Sequence, residues 1–183
     1  MKALLFATVA PALLLAGCNT MDRPEGSEAG MEAAAVGGMD MTPTERGGYV
    51  QLAAASDMFE IESSRLALRQ ARRPEVRQYA QMLIDHHTRS TQQVMAAARA
   101  LNVQMGMPRL TTMQAGMMTQ LQRATGDEFD TVYLRTQVPA HEMALQLHSN
   151  YAQNGDEPQL KAVAAGIVPV VQQHLDRARQ LSM

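Results

Sequence analysis

Four long stretches of apolar residues at three- and four-residue spacing constrain the fold more than any other feature of the sequence. This spacing places the apolar side chains on one face of an α-helix. It predicts helices over residues 44–71, 74–101, 127–153 and 158–181. Aromatic residues make up only 4% of the chain, whereas it contains 15 methionines, which indicates a core of Ala, Leu, Val and Met. We therefore expect an all-α fold.

Prolines and capping residues mark several helix boundaries. Residues 42–45 (Thr-Pro-Thr-Glu) have the pattern of a helix start, with a capping Thr followed by a Pro. Pro74 and Pro158 are expected to open the second and fourth helices. Pro139 and Pro169 fall inside the third and fourth helices, where we expect kinks.

The lengths of the connections predict how the helices are joined. Links of a few residues join the first helix to the second and the third to the fourth, so each pair should form an antiparallel hairpin. The link over residues 102–126 is long enough to cross the bundle, and it contains a short helical pattern over residues 110–124. The expected fold is a ferritin-like antiparallel four-helix bundle over residues 44–183, with a crossover containing a short helix.

The first 18 residues have the pattern of a bacterial export signal. Lys2 precedes an apolar stretch that is too short for a stable membrane span. The sequence Leu-Ala-Gly-Cys at residues 15–18 resembles the lipobox of bacterial lipoproteins, in which Cys18 becomes the lipidated first residue of the mature chain. The alternative is an ordinary secretory signal with an incidental cysteine. We expect a signal peptide over residues 1–17 and lipidation at Cys18.

The segment that follows the cysteine suggests where the protein is held. Residues 18–43 are rich in Gly, Ala and acidic side chains and carry little large apolar surface, which predicts a flexible tether. Asn19 follows the cysteine, whereas an Asp there resembles the signal for retention in the inner membrane. We expect the lipid anchor to hold the protein in the bacterial cell envelope, at the periplasmic face of the outer membrane.

Charge and motif content argue against several classes of function. The chain has 16 basic and 18 acidic residues, so its net charge of −2 gives no reason to expect nucleic-acid binding. One cysteine cannot form a disulfide within the chain or an all-cysteine metal site. The sequence contains no nucleophile elbow, phosphate-binding loop or zinc-protease motif. It therefore identifies no catalytic residues, no substrate and no protein partner.

Ionisable residues near the predicted inward faces of the long helices form the candidate site. They are Glu62, Asp85 with His86, His141, and His174. At a rise of about 1.5 Å per residue, all of them fall in the middle half of the bundle. One interpretation is a mononuclear Zn, Cu or Fe site, and the other is a hydrogen-bonded layer without metal. A di-iron site is disfavoured because the sequence contains no Glu-x-x-His motif.

Methionines give a second metal hypothesis. Thioether sulfur is a soft ligand that suits Cu(I). The alternative is that methionine fills irregular packing around the crossover, and we favour this interpretation. The residues concerned are Met39, Met41, Met105, Met107, Met113, Met117 and Met118.

The order of short motifs from Tyr49 to Leu181 resembles a ferritin-like bacterial envelope family catalogued as a domain of unknown function, of the DUF 4142 type. The resemblance implies the bundle fold and no known activity. His148 stands at a position that is usually aromatic in the family, and His87 has no clear counterpart there, so we assign no role to either. The motifs lie at residues 59–62, 66–67, 74–76, 79–80, 85–86, 126–130, 141–142, 155–156, 160–161, 169 and 174–175.

The sequence is compatible with two functions. The first is a non-catalytic envelope lipoprotein with an interaction, structural or stress-related role, which we favour because no reaction-specific motif occurs. The alternative is a metal-binding or metal-dependent protein that uses the histidine and carboxylate layer in the bundle core.

Overall fold

Helices account for most of the chain that the structure describes. The computed structural model describes residues 42–183, so the predicted signal peptide, Cys18 and most of the predicted tether lie outside the described residues. No strand occurs in this range, and the predicted all-α fold is confirmed. The helices are α1 (Arg46–Gln70), α2 (Pro74–Ala100), α3 (Thr112–Arg123), α4 (Asp127–Asn154) and α5 (Pro158–Ser182).

The four long helices form a bundle in which each neighbouring pair runs antiparallel. The helices α1 and α2 pack as one hairpin and α4 and α5 as another, and the hairpins meet through α1 with α4 and α2 with α5. The end of α4 lies beside the start of α1, where Tyr151 stacks on Tyr49 with ring centroids 3.9 Å apart. At the opposite end of the bundle, the side chain of Arg73, which immediately precedes α2, donates a hydrogen bond to the Leu181 carbonyl near the end of α5. The helices α2 and α4 therefore run in the same direction.

This arrangement requires the link between α2 and α4 to travel the length of the bundle. The short helix α3 lies on that link and packs against α1 and α4. A bundle with one such crossover has the connectivity of ferritin-like folds. None of the described helices is both long and apolar enough to cross a membrane.

Prolines act differently at helix starts and in helix interiors. Pro74 and Pro158 occupy the first turns of α2 and α5, where a missing amide hydrogen costs nothing. The helices α4 and α5 continue through Pro139 and Pro169. Two prolines therefore mark helix starts, and the two interior prolines do not end their helices.

A capping box marks the start of α3, whereas α1 starts later than its capping pattern predicts. Thr111 and Gln114 form a reciprocal capping box at the start of α3. The start predicted for the first helix is wrong by a few residues, because α1 begins at Arg46 with no side-chain cap. The preceding segment is bound to the end of α4 instead, where the Thr44 carbonyl accepts a hydrogen bond from the Asp156 amide.

The core is apolar at both ends of the bundle and polar in the middle. One end packs residues that include Leu83, Phe129 and Tyr133. The other packs residues that include Leu147 and Leu160. The buried polar residues that lie between these two clusters along the helices are Ser56, Asp57, Glu60, Ser63, Ser64, His87, Ser90, Thr136, Gln137, His141 and His174.

The methionines around the crossover divide into packed and exposed residues. Met117 is buried and packs with Phe59, and Met118 contacts the same small cluster. Met107 is 83% exposed and Met113 is 56% exposed. The packing interpretation therefore accounts for Met117 and Met118. Met39 and Met41 lie outside the described residues.

Candidate metal centre

Three buried histidines from three helices meet in the middle of the bundle. His87 on α2, His141 on α4 and His174 on α5 are each at most 3% exposed. One nitrogen of each ring lies within 4.8 Å of the corresponding nitrogen of the other two. The ring centroids are 5.2 to 5.7 Å apart. Imidazole nitrogens bind Zn²⁺ at about 2.0–2.1 Å, so binding one ion would require the three nitrogens to lie closer together than 4.8 Å.

Two of these imidazoles are oriented through their outer nitrogen. His87 Nδ1 lies 2.8 Å from Asp57 Oδ1, and the second carboxylate oxygen of Asp57 accepts a hydrogen bond from the Thr91 hydroxyl. His141 Nδ1 lies 2.9 Å from the backbone carbonyl oxygen of Gln137. A carboxylate or carbonyl partner requires a hydrogen on Nδ1. Each of these rings therefore carries its lone pair on Nε2.

His174 is held by a second histidine. Its Nε2 lies 2.8 Å from His86 Nδ1, and the two rings stack with centroids 5.1 Å apart. The Tyr79 hydroxyl donates to the His174 backbone carbonyl at 3.1 Å. When His174 Nε2 donates its hydrogen to His86, the Nδ1 atom of His174 carries the lone pair.

Three ring nitrogens, one on each histidine, have no hydrogen-bond partner among the described residues. They are His87 Nε2, His141 Nε2 and His174 Nδ1, and all three are buried. Buried polar atoms in folded proteins are nearly always paired, so each exception needs an explanation. Neutral imidazole nitrogens with an available lone pair are common ligands of transition-metal ions.

A buried carboxyl group lies beside the cluster. Glu60 is 1% exposed, and neither of its oxygens has a hydrogen-bond partner among the described residues. Its Oε1 lies 3.7 Å from His141 Nδ1. Burial raises the pKa of Glu60 to about 8, although the nearby His87 lowers it in part. A cation bound by the histidines would favour the carboxylate form.

Electrostatics prepare two of the rings to bind metal and make the third sensitive to pH. Burial lowers the pKa of His141 to about 3 and that of His174 to about 2, so both are neutral near pH 7. Burial also lowers the pKa of His87, but the hydrogen bond and charge of Asp57, together with Glu60, outweigh it and leave that pKa above its ordinary value. A proton on His87 therefore competes with metal as the pH falls.

The structure brings together some of the sequence-predicted site residues and separates others. His141 and His174 lie in the cluster, and His86 lies behind His174 as its hydrogen-bond partner. Glu62 and Asp85 are exposed. The predicted inward position of these two carboxylates is wrong, because each is two residues, or about 200° of helix rotation, from a residue that does face the core.

Sequence reasoning missed three residues that form the site. Glu60 is the buried neighbour of the predicted Glu62, and Asp57 lies one helical turn before Glu60. His87 fits the apolar stripe as an alternative to His86, but the sequence offers no reason to assign it a role. Both histidines fit three- and four-residue spacing between Leu83 and Ser90, so periodicity does not separate them.

The fold and the site define an all-α bundle with a buried three-histidine cluster in its core. The model of a family described as "Domain of unknown function (DUF4142)" matches residues 31–181. The chain belongs to this family, which confirms the family resemblance found in the sequence. No curated protein matches the chain at a significant level.

Solved structures of similar fold cover most of the described bundle. CopM in the Cu(II)-bound form has a TM-score of 0.62 and 20% identity, and the match covers 75% of this chain and 95% of that one. CopM in the apo form has a TM-score of 0.61 and 18% identity, with 74% and 94% covered. A DUF305 fragment from Deinococcus radiodurans has a TM-score of 0.64 and 15% identity, with 73% and 92% covered. Because the sequence identities are this low, these matches show similarity of fold alone.

Proposed function

We propose that this protein binds a transition-metal ion through His87, His141 and His174. The observation that carries the proposal is the meeting of three buried imidazoles, each with one nitrogen within 4.8 Å of a nitrogen of the other two. Each ring also carries one nitrogen without a hydrogen-bond partner among the described residues. Asp57 and the Gln137 carbonyl orient two of the rings in the way that outer-shell groups orient metal ligands. The alternative that the sequence favours, a layer satisfied by hydrogen bonds alone, leaves these three nitrogens unexplained.

Copper is the ion that we favour. Three imidazoles suit Zn, Cu or Fe, so the donor set alone does not choose among them. CopM, which has a similar fold, is described in Cu(II)-bound, Cu(I)-bound and Ag-bound forms, and this supports copper for the present protein. We do not propose a di-iron site, because no carboxylate belongs to the three-nitrogen group within residues 42–183.

We also propose that the bundle acts in the bacterial envelope, anchored by lipid on Cys18. The support is the Leu-Ala-Gly-Cys sequence at residues 15–18 and the polar segment that follows it. Acyl chains on one residue would hold the protein at the membrane, since each buried methylene contributes about 0.8 kcal/mol. Cell fractionation of the Cys18→Ser variant tests the anchor. Release from the membrane fraction is expected, and unchanged membrane association would contradict it.

Metal analysis of four variants tests the proposed centre. The full-length protein is purified without a polyhistidine tag, treated with chelator, and titrated with Cu(II) and, separately, Zn(II). We expect one ion per chain, with loss of binding in His87→Ala, His141→Ala and His174→Ala. The matched control is His148→Ala, because His148 is equally buried but pairs with the Tyr49 hydroxyl outside the cluster.

The control separates loss of a ligand from loss of the fold. All four variants remove a buried imidazole, so all four should lower stability, whereas only the three cluster variants should lose the ion. Wild-type protein that takes up neither metal would contradict the proposal. Equal metal loss in His148→Ala would also contradict it, since general destabilisation would then explain the result.

A further inference from the structure

A small cavity lies between α2 and α5 on one side of the three-histidine cluster. Its volume is about 140 Å³, and His87 and His174 both contribute to its wall. One water needs roughly 10–15 Å³ of such space, so the cavity accommodates a molecule of several heavy atoms. The exposed residues Arg89 and Gly166 lie at its border. The cavity therefore connects the cluster with the surface of the bundle.

The cluster offers an ion fewer ligands than transition metals usually take. Three histidine nitrogens form the group, and no further His, Cys, Asp or Glu joins it in the described part of the chain. Asp57 and Glu60 lie beside Nδ1 of His87 and of His141, and neither carboxylate belongs to the three-nitrogen group. Sites with three protein ligands and an open position bind water or an external ligand there.

The groups around the cavity suit a negatively charged ligand. Among its described lining residues are the guanidinium of Arg89 and the amide of Gln93, and none of them is a carboxylate. The Ser90 hydroxyl is buried, borders the same cavity and has no hydrogen-bond partner among the described residues. A hydroxyl in this position is able to donate a hydrogen bond to a ligand that reaches the ion.

We infer that the cavity between α2 and α5 admits a small anion, which binds the open position of the metal ion and accepts a hydrogen bond from Ser90. The inference rests on the proposed metal centre and adds to it an exchangeable ligand of stated charge and size. A centre of this kind exchanges small ligands, whereas a structural site has all its coordination positions filled by protein groups.

Azide titration of the Cu(II)-loaded full-length protein tests this inference. Azide is a three-atom anion, and its binding to Cu(II) is followed by a charge-transfer absorption band. We expect saturable binding in the wild type and affinity weaker by about tenfold in Ser90→Ala, the usual effect of losing one hydrogen bond to a charged ligand. Copper content should be unchanged in this variant, because Ser90 is not among the three ligands.

A matched pair of glycine variants tests the route. Gly166 borders the cavity, and no atom lies within 4 Å of the point that a Cβ would occupy there, so we expect the side chain of Gly166→Leu to narrow the entrance. Gly116 on α3 is also exposed, helical and uncrowded but lies away from the cavity, so Gly116→Leu is the control. We expect slower and weaker azide binding in Gly166→Leu alone.

The outcomes separate the two proposals. Failure to take up Cu(II) overturns the metal centre, and the exchangeable ligand with it. Normal Cu(II) uptake without an azide band overturns only the open position. Equal azide binding in the two leucine variants, or no effect of Ser90→Ala, overturns the cavity as the route and site of the anion.

Discussion

The two ends of the bundle and its middle are built from the same four helices, but different interactions hold them together. At one end, Leu83, Phe129 and Tyr133 are fully buried in an apolar cluster. At the other end, Leu147 and Leu160 are equally buried. In the middle, the helices bring His87, His141, His174 and a carboxyl group into contact instead of aliphatic side chains.

The difference shows which part of the core is built for stability. Each large apolar side chain buried at the ends contributes about 1.5–3 kcal/mol to folding. A buried polar atom without a partner costs about 1–3 kcal/mol instead, and the middle layer holds unpaired atoms on the three histidines and on Glu60. The ends therefore stabilise the fold, and they offset the cost of the middle layer, which we propose binds a metal ion.

His148 shows that a buried histidine in this bundle does not by itself indicate a site. It lies near the apolar end that contains Tyr49, and its Nδ1 is 3.0 Å from the Tyr49 hydroxyl. The comparison between His148 and the cluster residues therefore isolates the meeting of three histidines from three helices as the feature that distinguishes the cluster.

The largest loss of stability is expected for a substitution in one of the apolar ends. Phe129→Ala should lower the free energy of unfolding by about 3–5 kcal/mol, because it leaves a cavity in a fully buried cluster. Since Phe129 does not touch the proposed ion, the loss should be the same in chelator and in saturating Cu(II). Urea unfolding under both conditions measures it. A loss that metal largely restores would show that the ends and the middle are not independent.

Metal should stabilise the middle layer by a somewhat smaller amount. At a free-ion concentration of about 100 times the dissociation constant, binding to the native state adds about 2.7 kcal/mol to the free energy of unfolding. This gain should be absent from His141→Ala and retained in His148→Ala. A gain of equal size in both variants would place the ion outside the three-histidine cluster.

The buried carboxyl group should make the metal-free protein less stable as the pH rises. The pKa of Glu60 is raised by burial from 4.5 to about 8, so between these values the native state holds a proton that the unfolded chain releases. Stability from this group is full below pH 4.5 and falls as the pH rises through about 8. Glu60→Gln should remove the fall and stabilise the metal-free protein by on the order of 2 kcal/mol near pH 8.

Unfolding of the wild type and of Glu60→Gln across this pH range measures the effect. The two stability curves should converge near the low end of the range, where the native and unfolded carboxyl groups of the wild type are both protonated. Parallel curves would show that Glu60 does not titrate as its burial implies.

A smaller pH effect of opposite sign is expected at His148. Burial lowers its pKa from 6.5 to about 4, so between these values the unfolded chain binds a proton that the native state does not. Stability from this group is therefore full above pH 6.5 and falls as the pH drops towards 4. His148→Gln should reduce the acid-induced loss by on the order of 1 kcal/mol, as measured by thermal unfolding from neutral to mildly acidic pH. A steeper loss in the variant would contradict this sign.

The smallest change in stability is expected for substitution of the two exposed carboxylates that the sequence predicts at the site. Glu62→Ala and Asp85→Asn should change the free energy of unfolding by less than about 0.5 kcal/mol, as surface substitutions usually do. Copper content, measured by elemental analysis, should be unchanged in both. Loss of the ion in either variant would mean that the exposed carboxylate reaches the centre when metal is bound.

The sequence by itself determined the helices, their order and their connectivity. Pro74 and Pro158 mark helix starts because proline fits the first turn and no later one without cost. Two short links and one long link leave few ways to join four helices, so the bundle and its crossover follow from local signals and chain length. Family membership was likewise visible, because it depends on the order of motifs along the chain.

Only the tertiary structure decided which ionisable residues meet. The helix α1 packs against α2, α4 and α3, so buried positions occur around much of its surface and its periodicity does not separate Glu60 from Glu62. His86 and His87 differ by about 100° on α2, and both fit an apolar stripe until α5 is placed beside them. The rotation of each helix about its axis depends on contacts with its neighbours, and a single helical stripe does not contain that information.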